Sequence, residues 1–385
     1  MIRVSARWRS IGAVIASVFA ASLTFSICMP LLSLILEQRG TASWLIGLNN
    51  AAGPAGLLVA TIFMPRIVEW LGTMYALYLG FVLMVVSMAL LPVFDNVWAW
   101  FPLRFFLGIG TALHWVVSET WINTLADNRN RGRVMAVYVT ALSAAYLAGL
   151  PVLLVVGTHG VLPFVIIVTI LCVAVLPLVL ARNLAPRIST QAGFGLLAAA
   201  RRAPATMVAA LVDGVVMGAL FVFFLIYAGR QSFTEDQAIV LLMVMAAGNV
   251  MLQFPVGMLA DRFDKRMLLI VFAFAISLFT IAFPFVLHHP WLLWPTLFVW
   301  GGIMGGIYTC GLAQIGQRFR ASELAPANAT FIFVYEFGHL VGPPAAGYAM
   351  GLWNPHGLIV FCATGGLLFA LFATARHFLV RSRGT

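Results

Sequence analysis

The feature that most constrains the fold is a series of apolar stretches, each about 20 residues long, that recur along the whole chain. A stretch of this length and composition crosses the hydrocarbon core of a bilayer as an α-helix. A strand of a membrane β-barrel would alternate between apolar and polar residues, and segments such as VIIVTILCVAVLPLVLA do not. Only 9% of the residues are charged, too few to cover a soluble protein of this size. The sequence therefore predicts an all-α polytopic membrane protein.

We expect twelve transmembrane helices in two pseudo-symmetric six-helix bundles. The predicted spans cover residues 10–36, 43–68, 74–93, 98–124, 134–156, 161–181, 205–229, 235–259, 267–287, 291–316, 327–350 and 355–379. The predicted domains are an N-terminal bundle (1–181), a basic cytoplasmic linker (182–204) and a C-terminal bundle (205–385). A shift of 193 residues places Gly108 on Gly301 and Gly149 on Gly342, as expected of internal repeats with a binding site between them.

The basic residues predict the orientation, because they concentrate in cytoplasmic loops. With the N-terminus inside, the inside segments contain 19 of the 22 basic residues, and the outside loops contain only Arg39 and Arg230. We therefore expect both termini to be cytoplasmic. The net charge of +10 then indicates contact with anionic membrane lipids, not nucleic acid. Arginine outnumbers lysine 21 to 1, which favours a bacterial source and hence the inner membrane. We expect a monomer.

A charged segment, GMLADRFDKR (257–266), interrupts the apolar pattern between the eighth and ninth spans. It resembles the signature loop of the major facilitator superfamily of secondary transporters, G-x-x-x-D-R-x-x-[KR]-[RK]. That family has its main copy after the second span, where this chain has the degenerate FMPRIVEWLGTM. RFFLGIG (104–110) resembles the family's fourth-span motif, and DNRNRGR (127–133) the basic turn after it. The resemblance covers the whole chain and implies the twelve-span fold and transport by alternating access.

The same segment supplies the predicted gating motif: Gly257, Asp261, Arg262, Lys265 and Arg266. We expect Gly257 to let a neighbouring helix backbone approach closely. We expect Asp261 to interact with the positive end of a helix or with an arginine, in a contact that biases the inward/outward equilibrium. The alternative is that the cluster only anchors the cytoplasmic side through its positive charge.

Ionisable residues inside spans are costly and are therefore candidates for binding protons or substrate. The candidates are Glu336, His339, Asp213, Arg104, Glu119 and His114. Glu336 and His339 are three residues apart and so lie on one helix face. Low dielectric disfavours the charged form of a carboxyl group, so such a group can take up and release a proton as access alternates.

Each candidate also has a structural explanation. Glu336 and His339 would form a static hydrogen-bonded pair, and Asp213 would pair with a neighbouring span. Arg104 would orient helices, Glu119 would pair with Arg66 or the basic turn, and His114 would be a hydrogen-bonded core residue. Aromatic residues are abundant in the spans, and those in a cavity would favour an apolar, aromatic or cationic substrate. The sequence does not indicate which of them point inward.

Motifs for other chemistries are not visible: there is no G-x-x-x-x-G-K-[ST] loop and no H-E-x-x-H run. The four cysteines fall in apolar segments, without the spacing of a metal site. We therefore expect neither an enzyme nor a cofactor, with protons as the coupling ion. The predicted function is proton-coupled transport of a small organic solute, with efflux of amphiphilic or cationic compounds by proton antiport favoured. The alternatives are a proton symporter importing an organic nutrient or metal chelate, and a non-transporting membrane receptor or lipid-handling protein.

Overall fold

The computed structural model describes residues 4–126, 131–186 and 200–382, and within these ranges the chain is helical without strands. The expected all-α membrane fold is confirmed. The helices in chain order are α1 (Val4–Gln38), α2 (Ser43–Leu71), α3 (Thr73–Leu90), α4 (Val97–Leu125), α5 (Arg131–Val156), α6 (Leu162–Leu180), α7 (Pro204–Arg230), α8a (Glu235–Met251), α8b (Gln253–Arg262), α9 (Lys265–Val286), α10 (Pro290–Arg318), α11 (Ala321–Leu352) and α12 (Gly357–Ser382).

Eleven segments of the described chain are long and apolar enough to span a bilayer, counting α8a and α8b as one. The remaining helix, α11, has 32 residues, which is sufficient length, but it is less apolar than the others. It carries Glu323, Glu336 and His339 along with three prolines. The one helix with weak hydropathy is therefore the helix that carries two of the candidate proton-binding residues.

Local chemistry explains where helices α8a and α9 begin. Thr234 and Gln237 form a capping box at the start of α8a, in which Gln237 N–H donates to Thr234 Oγ1 over 3.3 Å. Asp264 accepts hydrogen bonds from the N–H groups of Arg266 (2.7 Å) and Met267 (3.2 Å) and so caps α9. Asp264 of the GMLADRFDKR segment thus has a structural role as a helix cap, which the resemblance to the signature loop does not predict.

The chain divides into two compact units, the first comprising Met1–Arg39 and Ala52–Gln191 and the second Gly40–Ala51 and Ala192–Thr385. The first part of α2 belongs to the second unit, where Arg230 donates a hydrogen bond to Ser43 Oγ over 2.8 Å. The rest of α2 belongs to the first unit. Most of the predicted linker, residues 187–199, lies outside the described residues.

In the first unit, α1 packs against α4, α5 and α6. A row of small hydroxyl residues on α1 makes these contacts polar as well as close. Trp121 Nε1 of α4 donates to Ser10 Oγ (3.0 Å), and Ser26 Oγ donates to the Tyr146 carbonyl of α5 (2.6 Å). Gly149 of α5 faces α1 so closely that a methyl group there would lie 2.7 Å from the Leu23 carbonyl oxygen. Small residues thus bring these helices together, as is usual in membranes.

The second unit repeats this packing, with α7 in the place of α1. Thr206 Oγ1 of α7 donates to Gln314 Oε1 of α10 over 2.6 Å, and Gly342 of α11 lies against Val215 of α7. In the same way, Gly108 of α4 lies against Gly53 of α2, and Gly301 of α10 against Met245 of α8a. Both glycine pairs that the 193-residue shift relates therefore occupy matching helix contacts in the two units.

Candidate functional site

Asp213 lies in the interior of the second unit, with 2% of its surface exposed. Thr206, seven residues earlier on the same face of α7, faces Gln314 of α10. Val216, three residues later, faces α12: a methyl group added to Gly365 of α12 would lie 3.7 Å from a Cγ atom of Val216. Asp213 is therefore directed between α10 and α12. Its Oδ1 is buried without a hydrogen-bond partner, and no ion pair with a neighbouring span is found in the described chain.

Glu336 and His339 lie on α11, and both are half-buried. His339 packs directly against Gly218 of α7. A methyl group added to Gly218 would lie 3.1 Å from both the Cα and the Cδ2 atom of His339. His339 Nδ1 makes a 3.4 Å hydrogen bond with the Tyr335 carbonyl oxygen. Within the described chain Glu336 makes no hydrogen bond, either with His339 or with another residue. The structural alternative of a static Glu336–His339 hydrogen bond is therefore wrong for this structure.

The structure does not bring Asp213 together with Glu336 and His339. The contact with α11 uses Gly214 and Gly218 of α7. At 100° per residue these positions lie about 100–140° around the helix from Asp213. The three candidates thus form two separate groups, one in the interior of the second unit and one where α11 crosses α7.

An aromatic cluster surrounds His339, and we call it the C-corner: Tyr308 of α10 with Tyr335 and His339 of α11. The ring centroids of Tyr308 and Tyr335 are 5.1 Å apart, and those of Tyr335 and His339 are 4.6 Å apart, both edge-to-face. Phe331, which is fully buried in the core, supports Tyr308 at 5.3 Å. The three rings of the C-corner are only half-buried.

His114 of α4 is fully buried in the first unit. Its Nε2 lies 3.2 Å from Ser17 Oγ of α1, and its ring packs edge-on against Phe81 at 4.9 Å. Among the residues that the structure describes, its Nδ1 has no hydrogen-bond partner, and neither does Ser118 Oγ one turn later. The prediction of a hydrogen-bonded core histidine holds for one ring nitrogen but leaves the other unexplained.

Arg104 and Glu119 are also on α4 but have contrasting environments. Arg104 is 3% exposed, and its Nε and Nη2 are buried without a hydrogen-bond partner in the described part of the chain. Glu119 is exposed and makes no ion pair with Arg66 or Arg133, the described members of its expected partners. Of the remaining expected partners, Arg129 lies outside the described chain and the side chain of Arg131 is not described. The pairing predicted for Glu119 is therefore not present among the described residues.

The gating motif occupies the end of α8b and the start of α9. A methyl group added to Gly257 would meet no atom of the described residues within 4 Å, so the close helix approach expected at Gly257 stays a prediction. Asp261, Arg262 and Arg266 are exposed, whereas Lys265 is half-buried. Asp261 makes no ion pair within the described chain, and the positive end of α9 is capped by Asp264 instead. The charged groups of Asp261, Arg262 and Arg266 are therefore exposed at the surface of the second unit in this structure.

The first unit contains a second aromatic cluster, which we call the N-corner: Phe25 of α1, Trp115 of α4 and Tyr146 of α5. The ring centroid of Phe25 lies 5.4 Å from that of Trp115 and 6.2 Å from that of Tyr146. All three residues are half-buried. The cluster is not predicted from the sequence, although the 193-residue shift relates Trp115 to Tyr308 and Tyr146 to His339.

The described residues include no group of three or more His, Cys, Asp or Glu side chains that could hold a metal ion. The four cysteines are free, and Cys172 is the one with an exposed side chain. The buried Cys28 contacts the sulfur of Met88 at 3.6 Å. The ionisable residues above thus remain the candidates for chemistry in this chain.

Comparison with known proteins decides the family. The model of the Major Facilitator Superfamily matches residues 14–319 and 206–384. The chain belongs to the Major Facilitator Superfamily. It is 24% identical over 375 residues to an uncharacterized MFS-type transporter, YcaD, of Escherichia fergusonii, covering 96% of this chain and 97% of the relative. A YcaD protein of Salmonella enteritidis is 25% identical, with 94% of both chains covered.

Solved structures of other transporters share the fold. A mutant of the nucleoside transporter NupG superposes with a TM-score of 0.74 at 15% identity, covering 97% of this chain and 99% of NupG. A D-xylose-proton symporter has a TM-score of 0.73 at 14% identity, covering 94% and 96%. A bacterial homologue of the human lysosomal transporter Spinster has a TM-score of 0.70 at 14% identity, covering 97% and 96%. The protein is a multi-pass membrane transporter, a class distinct from enzymes.

Proposed function

We propose that the protein is a proton-coupled secondary transporter that exports amphiphilic or cationic organic compounds by alternating access. In this proposal it lies as a monomer in the inner membrane of a bacterium, with both termini in the cytoplasm. The observation that carries the proposal is the half-buried Glu336, which lacks a hydrogen-bond partner in the described chain and lies one turn from His339. The bacterial origin of the relatives supports the location.

The chemistry of Glu336 favours antiport. An ionised carboxylate attracts a cation, and a protonated carboxyl group does not. A proton and the cationic group of a substrate therefore compete for Glu336, so that binding of one promotes release of the other. His339 supports this exchange as a neighbouring group that can accept or donate a proton. Competition for one group couples the two fluxes in opposite directions.

Asp213 is a second proposed proton site, since a carboxyl group buried in a membrane protein without a partner is costly and commonly functional. His114 and Arg104 are proposed contacts for a polar group of the substrate in the first unit, because one ring nitrogen of His114 and two guanidinium nitrogens of Arg104 are buried without a hydrogen-bond partner among the described residues. Glu119, which is exposed on α4, is proposed to attract the cationic group of the substrate through its carboxylate.

We propose that the motif residues act in gating. Gly257, Asp261, Arg262, Lys265 and Arg266 lie where α8b meets α9. The exposed charges are free to form contacts in another conformation of the transport cycle. Such contacts would shift the equilibrium between inward-open and outward-open states without contacting the substrate.

The experiment uses proteoliposomes with an imposed pH gradient and ethidium as the probe, with the membrane potential clamped. Ethidium is a permanently charged planar cation, so its own distribution does not follow pH. An acidic interior drives its accumulation by antiport, whereas an alkaline interior drives accumulation by symport. We expect accumulation only with the acidic interior, and its loss in Glu336→Gln.

The matched control is Glu323→Gln, which changes a carboxylate of the same helix that pairs with Arg202 at its N-terminal end. This variant is expected to accumulate ethidium as the wild type does. Accumulation that requires an alkaline interior would refute antiport. Unchanged gradient-driven accumulation by Glu336→Gln would refute the assignment of the coupling residue.

A further inference from the structure

Three arginines of the second unit lie at the ends of three helices that pack together. Arg266 is in the first turn of α9, Arg318 is the last residue of α10, and Arg376 is within the last two turns of α12. Helix α9 packs against both α10 and α12. Because successive spans alternate in direction, the start of α9 and the ends of α10 and α12 lie on the same side of the membrane. The distribution of basic residues predicts that this side is cytoplasmic.

The contact between α9 and α12 gives the level of two of these arginines. Ser277 Oγ of α9 donates a 3.0 Å hydrogen bond to the Ala363 carbonyl oxygen of α12, and a methyl group on Gly366 would lie 2.6 Å from Ser277 Oγ. Arg266 precedes Ser277 by eleven residues, and Arg376 follows Gly366 by ten. At about 1.5 Å per residue, both arginines lie about 15–17 Å from the contact. They are therefore at nearly the same level of the second unit.

Arg318 lies near both of these arginines, since it has Coulombic interactions with Arg266 and with Arg376. Its Nη1 donates a 3.3 Å hydrogen bond to the Arg202 carbonyl oxygen. We call Arg266, Arg318 and Arg376 the arginine cluster. Among the described residues no member of the cluster makes an ion pair. Like charges repel one another, so the cluster is unfavourable without an anion.

The carboxylates near the cluster along the chain have other contacts or none. Asp264 Oδ1 accepts hydrogen bonds from two backbone N–H groups of α9, and Glu323 pairs with Arg202 at 2.7 Å. Asp261 is exposed and makes no ion pair within the described chain. The described part of the chain thus supplies no ion-pair partner for the arginine cluster, and an anion from outside the chain would reduce the repulsion.

Exposed apolar side chains next to the cluster indicate what kind of anion fits. They are Met267, Val271, Phe274 and Leu278 of α9 and Leu368 and Phe372 of α12. On α9 the spacing of three and four residues places them on one face, which begins directly after Arg266. On α12, Phe372 lies one turn before Arg376 on the same face. An anion that carries hydrocarbon chains can therefore use both features, whereas free phosphate uses only the charge.

We propose that the arginine cluster binds the phosphate of an anionic phospholipid, whose acyl chains lie along the exposed faces of α9 and α12. Basic residues at the cytoplasmic surface of a membrane attract anionic lipids. Guanidinium groups bind phosphate oxygens through paired, charge-assisted hydrogen bonds. The bound phosphate neutralises charges that otherwise repel one another and so stabilises the second unit. This lipid site goes beyond the proposed transport function and does not depend on proton coupling.

The test measures binding of three probes to the purified full-length protein by native mass spectrometry. Phosphatidylglycerol has the phosphate, a net negative charge and acyl chains. Phosphatidylcholine has the phosphate and the chains without a net charge, and glycerophosphoglycerol is the charged head group without chains. We expect phosphatidylglycerol to bind at least about five-fold more tightly than either of the others. Equal or tighter binding of phosphatidylcholine would overturn recognition by charge, and equal or tighter binding of glycerophosphoglycerol would assign the cluster to a soluble phosphate compound instead.

Variants test the arginine cluster through the two members that do not belong to the gating motif. We expect Arg318→Gln and Arg376→Gln each to weaken phosphatidylglycerol binding about five-fold, which corresponds to about 1 kcal/mol for one basic residue at a membrane surface. Arg318→Lys and Arg376→Lys keep the charge and are expected to retain most of the affinity. Arg182→Gln, which removes an exposed arginine of the first unit, is the matched control with the same change in net charge.

The control variant is expected to bind phosphatidylglycerol as the wild type does. Wild-type affinity in both glutamine variants of the cluster, or an equal loss in Arg182→Gln, would overturn the site. Equal losses in the lysine and glutamine variants would overturn recognition by charge.

Thermal unfolding separates a lost lipid site from a variant that folds poorly. Without added phosphatidylglycerol, Arg318→Gln removes one of three charges that repel one another, so we expect its Tm to equal or exceed that of the wild type. Added phosphatidylglycerol raises the Tm of the wild type, because a ligand that binds the folded state stabilises it, and we expect a smaller rise in Arg318→Gln. A lower Tm of the lipid-free variant would contradict the repulsion, and equal rises in the two proteins would refute the cluster as the binding site.

Discussion

Replacing Gly338 with alanine tests whether direct contact of two helix backbones positions the candidate proton-binding residues. A methyl group on Gly338 of α11 would lie 2.5 Å from the Leu211 carbonyl oxygen, 2.7 Å from Val215 N and 2.8 Å from the Gly214 carbonyl carbon. All three are backbone atoms of α7, so no side-chain rotation relieves the clash. The two helices must move apart at the level of Glu336 and His339.

The magnitude follows from two opposing terms. Overpacking costs typically about 1–3 kcal/mol, and we take about 3 kcal/mol because the opposing atoms belong to the backbone. Alanine in a helix interior is favoured over glycine by about 1 kcal/mol, which leaves a net loss of about 2 kcal/mol. For a unit of about 200 residues, this corresponds to a fall in Tm of roughly 4–8 °C.

The assay is thermal unfolding of the purified protein in detergent, with Gly257→Ala as the matched control. Gly257 is also inside a helix, but an added methyl group would meet no atom of its unit within 4 Å. Only the gain in helix propensity applies there, so we expect an unchanged or slightly higher Tm. A Tm of Gly338→Ala at or above that of the wild type, or equal shifts in the two variants, would refute the argument.

Two further predictions concern hydrogen bonds of the second unit. Thr206→Val leaves Gln314 Oε1 buried without its donor and should lower the free energy of unfolding by about 1–3 kcal/mol; adding Gln314→Leu should recover part of this loss in a double-mutant cycle, and additive losses would contradict the pairing. At the start of α11, before its apolar part, the hydrogen bond from Arg202 lowers the pKa of Glu323 below its ordinary value of 4.5. The ionised pair therefore stabilises the folded state above pH 4.5, and this contribution is lost as the pH falls through 4.5 towards the lowered pKa. Glu323→Gln should accordingly melt below the wild type at pH 7, with the difference shrinking at pH 4; a difference that does not depend on pH would count against the pair.

The helices were predictable because every segment that crosses a bilayer has the same requirement, a sufficiently long apolar stretch. A span needs about 20 apolar residues whatever its neighbours are, and the predicted spans correspond to helices of the structure. The prediction 205–229, for example, falls on Pro204–Arg230. The break of α8 at Leu252 was not predictable in this way, since α8a and α8b together form one continuous apolar stretch.

The direction in which a side chain points was the part that sequence could not supply. Asp213 and Glu336 have the same signal in sequence, a carboxyl group in an apolar stretch. The structure separates them, because Thr206 and Val216 fix Asp213 between α10 and α12, whereas Glu336 projects from α11 half-buried. Gly257 also fits its motif by spacing, but spacing alone does not show what the residue contacts, and a methyl group on it would meet no atom of the described residues within 4 Å.

The internal repeat carried information about the site that span prediction did not. A shift derived from glycines relates Gly149 to Gly342, and the structure gives both the same role against the first helix of their units. The same shift then compares the chemistry at each remaining position. Where the two units keep the same residue type, the shared requirement is packing, which acts equally in both repeats. Where they differ, as at Ser143 and Glu336, packing alone does not explain the residue, because the equivalent contact forms without it. Differences between the repeats are therefore the positions at which a pseudo-symmetric transporter can acquire an asymmetric function, and they occur in both units: Glu336 corresponds to Ser143, and His114 corresponds to Ile307.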